Sequence, residues 1–327
     1  MSDKRFIDAI RDGLREELAA DAAVFLIGQD IGVNGGVFRV TDGLLEEFGA
    51  SRIIDSPLAE SGIVGVAIGA AMNGMRPVVE IQFADFIFSA FNQVVSEAAR
   101  MYYRTNGDFT VPMVIRAPYG GGVRGGLYHS QSVEAYFAHV PGLKVVVPSN
   151  PHDAKGLLKS AIRDDNPVLF FEHKRAYNTV QGEVPDGDYT VPIGEAVVSR
   201  EGQHLSLISY GLSVHHCLEA AETLSAEGIS CEVVDLRTVR PLDTVTILES
   251  VKKTGRACIV HEDNLTGGVG AEVAAIIAKD GFEFLDAPVQ RVAAPDVPSF
   301  PYNPDLEDAL LPGPADVVLA ARELASY

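Results

Sequence analysis

Residues 53–81 read IIDSPLAESGIVGVAIGAAMNGMRPVVEI, and the class of fold can be predicted from this stretch. The β-branched pair Ile53–Ile54 indicates a short strand, the small apolar residues of 61–74 indicate a helix, and Pro77–Ile81 indicates a second strand. A strand, a helix and a second strand in this order form the unit from which parallel sheets are built. The helix is too short to cross a bilayer, which takes about 20 apolar residues, so we expect it to be buried in the protein.

The same alternation of strands and helices continues on both sides of this stretch. Further β-branched runs predict strands at Val24–Ile27, Met113–Arg116, Lys144–Val147 and Val168–Phe171. Helix-length segments lie between them, including residues 86–103 and 152–163. The pattern therefore predicts an α/β fold in which helices cover both faces of a parallel sheet.

A second α/β unit is predicted after a break in this pattern. Residues 179–190, TVQGEVPDGDYT, combine Pro, Gly and acidic residues and are typical of a linker. The predicted elements then alternate again, as strand 205–209, helix 213–226, strand 231–234, helix 242–253, strand 257–261 and helix 269–279. We therefore expect a first domain over residues 1–178, a linker over 179–190 and a second domain over 191–327.

Length and composition narrow the class of protein. The 327 residues suffice for two domains, and 47% hydrophobic with 22% charged residues is typical of a folded globular chain. The net charge of −19 would repel nucleic acid and anionic membrane surfaces, so neither is an expected partner. Cys217, Cys231 and Cys258 lack the spacing of a disulfide framework or a zinc site. This pattern, with no visible targeting signal, predicts a cytoplasmic location.

Glu60 is the first candidate for chemistry. We predict that Ser56 caps the helix and that Pro57 is its first residue, which places Glu60 in the first turn. A carboxylate there also simply stabilises the positive end of a helix dipole, and this interpretation stays open. At the mouth of an apolar, buried helix, a carboxylate is nevertheless a candidate functional group.

A glycine-rich loop precedes the second candidate. Residues 120–125, GGGVRG, have the spacing of a dinucleotide-binding loop, but no helix follows directly, as that motif requires. A loop that brings its main chain close to a ligand is favoured, and a plain turn is the alternative. His129 follows within YHSQS, where Ser130 or Ser132 can cap the next helix. A histidine at this place suits acid–base chemistry or the orientation of an anion.

Several longer motifs occur in a fixed order along the chain. They are DSPLAE (55–60), VEIQFADF (79–86), YHSQS (128–132), VPSNPHDAKGLL (147–158), VVDLRT (233–238) and SVKKTGR (250–256). Together they resemble the E1 β subunits of 2-oxo acid dehydrogenases that depend on thiamine diphosphate. The resemblance spans nearly the whole chain and implies a transketolase-like pyrimidine-binding domain followed by a transketolase C-terminal-like domain.

The resemblance implies roles for residues at matching positions. Glu60 would hydrogen-bond the pyrimidine nitrogen of the cofactor and promote the tautomer that deprotonates the thiazolium carbon. Phe86 would pack against the aminopyrimidine ring, and Gln82 would lie close to the cofactor pocket. His129 would orient the 2-oxo acid and assist acyl transfer to a lipoyl group. A core phenylalanine and a helix-capping segment are the alternative readings of Phe86 and of the residues around His129.

The resemblance also implies bound cations. Asp164 and Asn166, with carbonyl groups of Ala161, Val111 and Met113, correspond to a structural potassium site, although Asp-Asn-Pro also indicates a turn. The chain lacks the Gly-Asp-Gly motif, followed by Asn, with which relatives hold Mg²⁺ and the cofactor diphosphate. A second chain, the E1 α subunit, would therefore supply the magnesium site.

The implied function is that of an E1 β subunit in an α2β2 assembly. It would decarboxylate a 2-oxo acid and pass the acyl group to the lipoyl group of an E2 acyltransferase. The motifs GGVF (35–38) and EIQFAD (80–85) favour a branched-chain substrate of the 2-oxoisovalerate type, and a pyruvate dehydrogenase subunit is the alternative. A non-catalytic α/β binding protein is the alternative from a different class, and it would need no role for Glu60 or His129.

Overall fold

The protein, described by a computed structural model over residues 2–327, contains two compact units. The first comprises the chain up to Tyr119 together with Tyr136–Ile193, and the second comprises Gly120–Ala135 together with Gly194–Tyr327. Each unit has its own sheet.

The predicted linker, residues 179–190, lies within the first unit and includes a short strand. It therefore contributes to the structure of that unit instead of running free of both. The proposed domain boundaries at 178 and 191 stay a prediction.

Parallel strands form the sheet of the first unit, as the βαβ pattern predicts. The strands up to residue 193 are β1 Ser2–Arg5, β2 Val24–Gly28, β3 Ile53–Asp55, β4 Arg76–Glu80, β5 Val114–Tyr119, β6 Lys144–Val146, β7 Val168–His173 and β8 Gln181–Val184. Strands β2 to β7 are parallel and follow the order β6-β7-β5-β4-β2-β3. The short strands β1 and β8 pair antiparallel with each other. The α/β class expected from the sequence is confirmed.

Helices connect these strands. Up to residue 193 they are α1 Phe6–Ala20, α2 Leu44–Phe48, α3 Glu60–Met72, α4 Met101–Arg104, α5 Glu134–Ala138, α6 Pro151–Arg163 and α7 Ala176–Thr179. The start of helix α6 is specified by its local sequence. The Asn150 side chain caps the helix by accepting from the Asp153 amide at 2.9 Å, and Pro151 occupies the first turn.

Residues 86–103, expected from their length to be a helix, do not form a single regular α-helix. The chain instead passes through 3₁₀ segments at Ala84–Ala90 and Ala98–Arg100, separated by a π-helical segment at Gln93–Glu97. Ile87, Ala90, Val94 and Ala98 are all buried. The expectation of a helical segment therefore holds in part, because the segment is helical but is not one regular α-helix.

Helix α3 differs from its prediction in two ways. It begins at Glu60, three residues later than expected, with Ala59 as its cap, and the Ser56 hydroxyl donates to the Pro57 carbonyl instead of capping the helix. The helix is also buried on one side only, because Val66 on its other side is 59% exposed. The prediction of a buried helix thus holds for one face.

The second unit is built on a five-stranded sheet. Its elements are β9 Val197–Arg200, β10 Leu205–Ser209, α8 Ser213–Ser225, β11 Cys231–Asp235, β12 Thr238–Arg240, α9 Thr244–Thr254, β13 Ala257–Asn264, α10 Val269–Asp280, β14 Gln290–Ala294, α11 Pro304–Leu310 and α12 Pro314–Ala325. The sheet has the order β14-β13-β10-β11-β9, with β9 antiparallel to β11 and the other pairs parallel. Free thiols of Cys217, Cys231 and Cys258 lie in the core of this unit.

Within residues 2–327, none of the helices combines the length and the apolar character needed to span a membrane.

Candidate functional site

Glu60 is the first residue of α3 and follows closely on the carboxyl end of β3. Its side chain is half-buried, and the Ser89 hydroxyl lies 3.1 Å from Glu60 Oε2 and 3.0 Å from the main-chain oxygen of Phe86. One serine therefore joins the Glu60 carboxylate to the segment that carries Phe86. No protein donor within residues 2–327 occupies Glu60 Oε1, which leaves this oxygen available to a ligand.

Phe86 belongs to a set of aromatic rings that pack edge to face. Its ring centroid lies 5.5 Å from that of Phe83, and the Phe83 centroid lies 5.4 Å from that of Phe38. Such contacts stabilise the orientation of each ring. Because Phe86 is half-buried, it differs from a core phenylalanine and retains partly exposed aromatic surface.

Gln82 lies two residues beyond the end of β4 and contacts the loop after β2. Its Nε2 donates weakly to the Gln29 carbonyl at 3.5 Å and to Asp30 Oδ2 at 3.4 Å. Gly32 lies in the same loop, and its main-chain amide donates to the Asp55 carboxylate at the end of β3, at 2.6 Å. The structure thus brings together side chains at the carboxyl ends of β2, β3 and β4. Ligands of parallel sheets usually bind at this end of the strands.

A buried ion cluster lies on the strands that carry these groups. Arg116 in β5 donates to Glu172 in β7 at 2.6 and 2.7 Å and to Glu80 in β4 at 2.7 Å, and the Tyr177 hydroxyl donates to Glu172 at 2.5 Å. Burial opposes the charge of Arg116, but Glu172 and Glu80 together hold the pKa of Arg116 above its ordinary value. Burial also opposes the charge of Glu80 and therefore raises the pKa of Glu80. The cluster ties three adjacent strands together by their side chains.

Sequence reasoning missed this cluster. The available signal was a charged residue in each of three largely apolar strands: Glu80 in RPVVE, Arg116 in VIRAPY and Glu172 in VLFFEH. A charge in a strand predicted to be buried requires a partner of opposite charge, but the sequence does not say which one.

The residues predicted to bind potassium lie close together in the first unit. The Asn166 amide donates to Asp164 Oδ1 at 2.9 Å, and the Asp164 amide donates to the Ala161 carbonyl at 3.3 Å. The carbonyls of Val111 and Met113 already accept main-chain amides, at 2.8 and 3.0 Å. Carbonyl and carboxylate oxygens suit a hard cation.

Lys144 complicates this cation site. Its ammonium group contacts Asp164 Oδ2, so the negative charge on which a cation would depend is already compensated. The described residues fit a potassium ion only if Lys144 is displaced from Asp164. No group of three or more His, Cys, Asp and Glu side chains in the described part of the chain is arranged to hold a metal ion.

His129 lies in the second unit, directly after the glycine loop. The loop is compact: Gly120, Gly122 and Gly126 have φ values of 90°, 76° and 64°, which glycine adopts at little cost, and the Gly120 amide donates to the Gln131 carbonyl at 3.0 Å. A short 3₁₀ segment at Gly126–Tyr128 leads into His129, which is half-buried. The dinucleotide-type helix is absent here, as the sequence predicts, since Ser132 is still outside any helix.

Several acidic groups are buried beside this loop. Burial, together with the charges of Asp263 and Glu262, raises the pKa of Glu134 to about 8. The Tyr210 hydroxyl donates to Glu134 Oε1 at 2.8 Å, while Glu134 Oε2 has no partner in the described structure. Burial also raises the pKa of Asp263 to about 6. A protonated Glu134 at neutral pH therefore reduces the repulsion among these carboxyl groups.

Neutral His261 belongs to the same region. It is fully buried, its ring stacks on Tyr210 with the centroids 6.2 Å apart, and burial lowers the pKa of His261 to about 4. The sequence analysis identified none of these groups, because their proximity arises from strands and loops far apart in the chain.

Comparison with known proteins places both units in one class. Residues 3–180 match the model of the transketolase pyrimidine-binding domain, and residues 194–317 match that of the transketolase C-terminal domain. A solved structure described as a split-gene transketolase, an inactive β4 tetramer, superposes with a TM-score of 0.80 over 98% of each chain at 24% identity. This likeness shows the fold, a transketolase-like pair of α/β domains.

Full-length relatives define the family more closely. Over all 327 residues, and 100% of both chains, the sequence is 57% identical to the 2-oxoisovalerate dehydrogenase subunit β of Bacillus subtilis (strain 168). It is 50% identical to the pyruvate dehydrogenase E1 component subunit β of the same strain and 46% identical to that of Staphylococcus aureus (strain N315), again over the full length of each. The chain therefore belongs to the family of E1 β subunits of 2-oxo acid dehydrogenases.

Proposed function

We propose that this chain is the β subunit of an E1 component that oxidatively decarboxylates a branched-chain 2-oxo acid of the 2-oxoisovalerate type. The acyl group would pass to the lipoyl group of an E2 acyltransferase. The observation that carries the proposal is Glu60, which is held by Ser89 beside Phe86 and has one open carboxylate oxygen. The 57% identity to a 2-oxoisovalerate dehydrogenase subunit β supports the choice of substrate.

Thiamine diphosphate, when bound, would supply a nucleophilic carbon and an electron sink for the decarboxylation of a 2-oxo acid. The residues of the first unit suit its pyrimidine half. Glu60 Oε1 can accept a hydrogen bond from a protonated ring nitrogen. The partly exposed ring of Phe86 can stack on a flat heterocycle. Gln82, at the same sheet edge, offers an amide to the polar groups of that ring.

His129 belongs to the second unit, and we assign it to the reacting acid. A half-buried imidazole after a glycine loop can donate a hydrogen bond to a carboxylate or carbonyl oxygen. This role would place the acyl group for transfer to the lipoyl sulfur. Helix capping does not explain the residue, because the helix after it begins only at Glu134.

The diphosphate and its Mg²⁺ would be held by an E1 α subunit, so the active enzyme would be an α2β2 assembly that serves an E2 core. The support is the absence from this sequence of the Gly-Asp-Gly motif followed by Asn. Potassium binding at Asp164 and Asn166, with carbonyls of Ala161, Val111 and Met113, is proposed as a structural feature that requires Lys144 to move. The cytoplasmic location also stays a prediction.

Pyruvate is the second candidate substrate, because the chain is also 50% identical to a pyruvate dehydrogenase E1 subunit β. The test is to reconstitute the chain with its α subunit and measure kcat/KM for 2-oxoisovalerate and for pyruvate. We expect the branched acid to be preferred by about tenfold or more, the discrimination that a few methyl groups provide in an apolar pocket. A preference for pyruvate would reverse the substrate proposal, and no turnover with any 2-oxo acid would favour a binding protein.

A further inference from the structure

Glu307 holds the glycine loop that leads to His129. It belongs to α11 and is fully buried. Its Oε1 accepts from the Gly122 amide at 3.0 Å, and its Oε2 accepts from the Arg124 amide at 3.2 Å and from the Arg124 guanidinium at 2.7 Å. Each oxygen of one buried carboxylate therefore binds the main chain of the loop.

Glu262 provides a second attachment from a different element. It lies near the carboxyl end of β13 and is 8% exposed. Its Oε1 accepts from the Gly121 amide at 2.5 Å and from the Ser132 hydroxyl at 3.2 Å. The two carboxylates thus hold residues on both sides of His129 in the chain.

The conformation of the loop requires such attachments. Arg124 has a φ of 62°, in the left-handed region that costs a residue with a side chain about 1–2 kcal/mol. Gly126 has a φ of 64° in the same region, and a Cβ added there would lie 2.5 Å from the Tyr302 ring, which would have to shift. Strained conformations of this kind persist where surrounding contacts impose them, and they concentrate at functional sites.

We infer that Glu307 and Glu262 are positioning residues that fix the loop of residues 120–132 and, through it, the placement of His129 for acyl transfer. The inference rests on the proposed function, since it takes His129 as the group that meets the reacting acid. A loop with so many glycines would otherwise sample many conformations, and displacement of a reacting group by about 1 Å can cost 10²-fold in rate.

The variant Glu307→Gln tests this inference directly. A carboxylate accepts at both oxygens, whereas an amide accepts at only one, so one of the two main-chain donors would face an NH₂ group. The matched control is Asp308→Asn in the same helix. Asp308 pairs with the same Arg124 guanidinium, at 2.8 and 2.9 Å, but its side chain is 56% exposed, whereas Glu307 is fully buried.

Three quantities are measured on the α/β assembly of each variant. They are hydrogen exchange of the peptide that covers residues 120–132, the thermal midpoint, and turnover with a lipoylated E2 domain compared with an artificial electron acceptor. For Glu307→Gln we expect loop exchange to accelerate about tenfold or more and turnover with the lipoyl domain to fall by about 10–10²-fold. Asp308→Asn should change neither, and the thermal midpoints of the two variants should agree within a few degrees.

Three outcomes would overturn the inference: unchanged loop exchange in Glu307→Gln, faster exchange with unchanged acyl transfer, or a uniform fall of all rates together with the thermal midpoint. The variant His129→Ala separates this inference from the proposed function. If His129→Ala retains full acyl transfer, the role of His129 is wrong, whatever Glu307→Gln does. If His129→Ala is impaired and Glu307→Gln is not, only the positioning role is wrong.

Discussion

At the scale of single residues, Glu60 decides whether the first unit takes part in catalysis. Glu60→Gln keeps the size of the side chain but removes a carboxylate that can exchange a proton. We expect the α/β assembly to form normally and to lose decarboxylation by about 10²-fold or more, the usual contribution of a general acid or base. Steady-state decarboxylation assays at saturating cofactor measure the effect.

Glu272 provides the control for the simpler interpretation of Glu60. It is an exposed carboxylate in the first turn of α10, where it interacts with a helix dipole in the same way. Glu272→Gln should leave activity within a factor of two to three. If Glu60→Gln is equally mild, Glu60 serves only its helix.

Glu134 predicts a pH dependence of stability. Because its pKa in the folded protein is raised to about 8 from about 4.3 in the unfolded chain, the folded state binds the extra proton, and stability falls as pH rises through this window. Glu134→Gln removes that proton while it keeps an acceptor for the Tyr210 hydroxyl. From pH 5 to pH 8, the free energy of unfolding of the wild type should therefore fall by about 1 kcal/mol or more relative to that of the variant.

Denaturant unfolding at both pH values gives this difference. His261 acts in the opposite direction, since a folded pKa lowered to about 4 makes stability rise with pH up to about 6.5. Comparison of the variant with the wild type cancels that contribution. An equal pH dependence in the two proteins would show that Glu134 is ionised in the folded state.

At the scale of secondary-structure elements, the ion cluster on β4, β5 and β7 joins three adjacent strands of the first sheet through their side chains. Arg116→Met leaves Glu80 and Glu172 buried without their counter-charge, so we expect a loss of about 3–5 kcal/mol. Arg15→Met is the matched control, because Arg15 pairs with Glu47 at the surface, and it should cost under about 1 kcal/mol. Equal losses for both, measured by denaturant unfolding, would contradict the prediction.

The elements also show what sequence can and cannot predict. Strand and helix order followed from the alternation of β-branched and helical segments, because burial of each face imposes that pattern. The start of α3 was predicted at Pro57 but lies at Glu60. The Ser56 hydroxyl donates to the Pro57 carbonyl and does not cap the helix. Local hydrogen bonds compete within a fraction of a kcal/mol, so boundaries are set by details that a pattern does not contain.

Some residues of the candidate site could also be predicted from the sequence, and others could not. Glu60, Phe86, Gln82 and His129 were identified by motif, and the structure shows Glu60 and Phe86 joined by Ser89. Ser89, Glu262 and Glu307 carried no signal of their own, because their contacts join segments up to 185 positions apart. Such partners depend on the tertiary fold and not on local sequence.

At the scale of the whole molecule, cofactor binding and subunit assembly should be coupled. On the proposed function, the chain alone would offer an aromatic ring and one carboxylate to the pyrimidine of thiamine diphosphate, and we expect weak binding even with Mg²⁺ present. With the α subunit, binding should become tight and should raise the thermal midpoint, since a ligand that binds only the assembled state stabilises it. Isothermal titration of the β chain alone and of the α and β mixture measures both affinities. Tight, magnesium-dependent binding to the isolated chain would show that the diphosphate site lies here.

The path of the chain between the two units affects how the protein can be made. Residues 120–135 leave the ribosome before residues 136–193 of the first unit, yet they belong to the second unit, whose Glu262 and Glu307 are synthesised more than a hundred positions later. The amides of Gly121, Gly122 and Arg124 therefore lack the carboxylates that accept from them until translation is almost complete. A gene fragment that begins at Gly194 would encode those two carboxylates without the amides they bind, so the units cannot be separated by a single cut in the coding sequence.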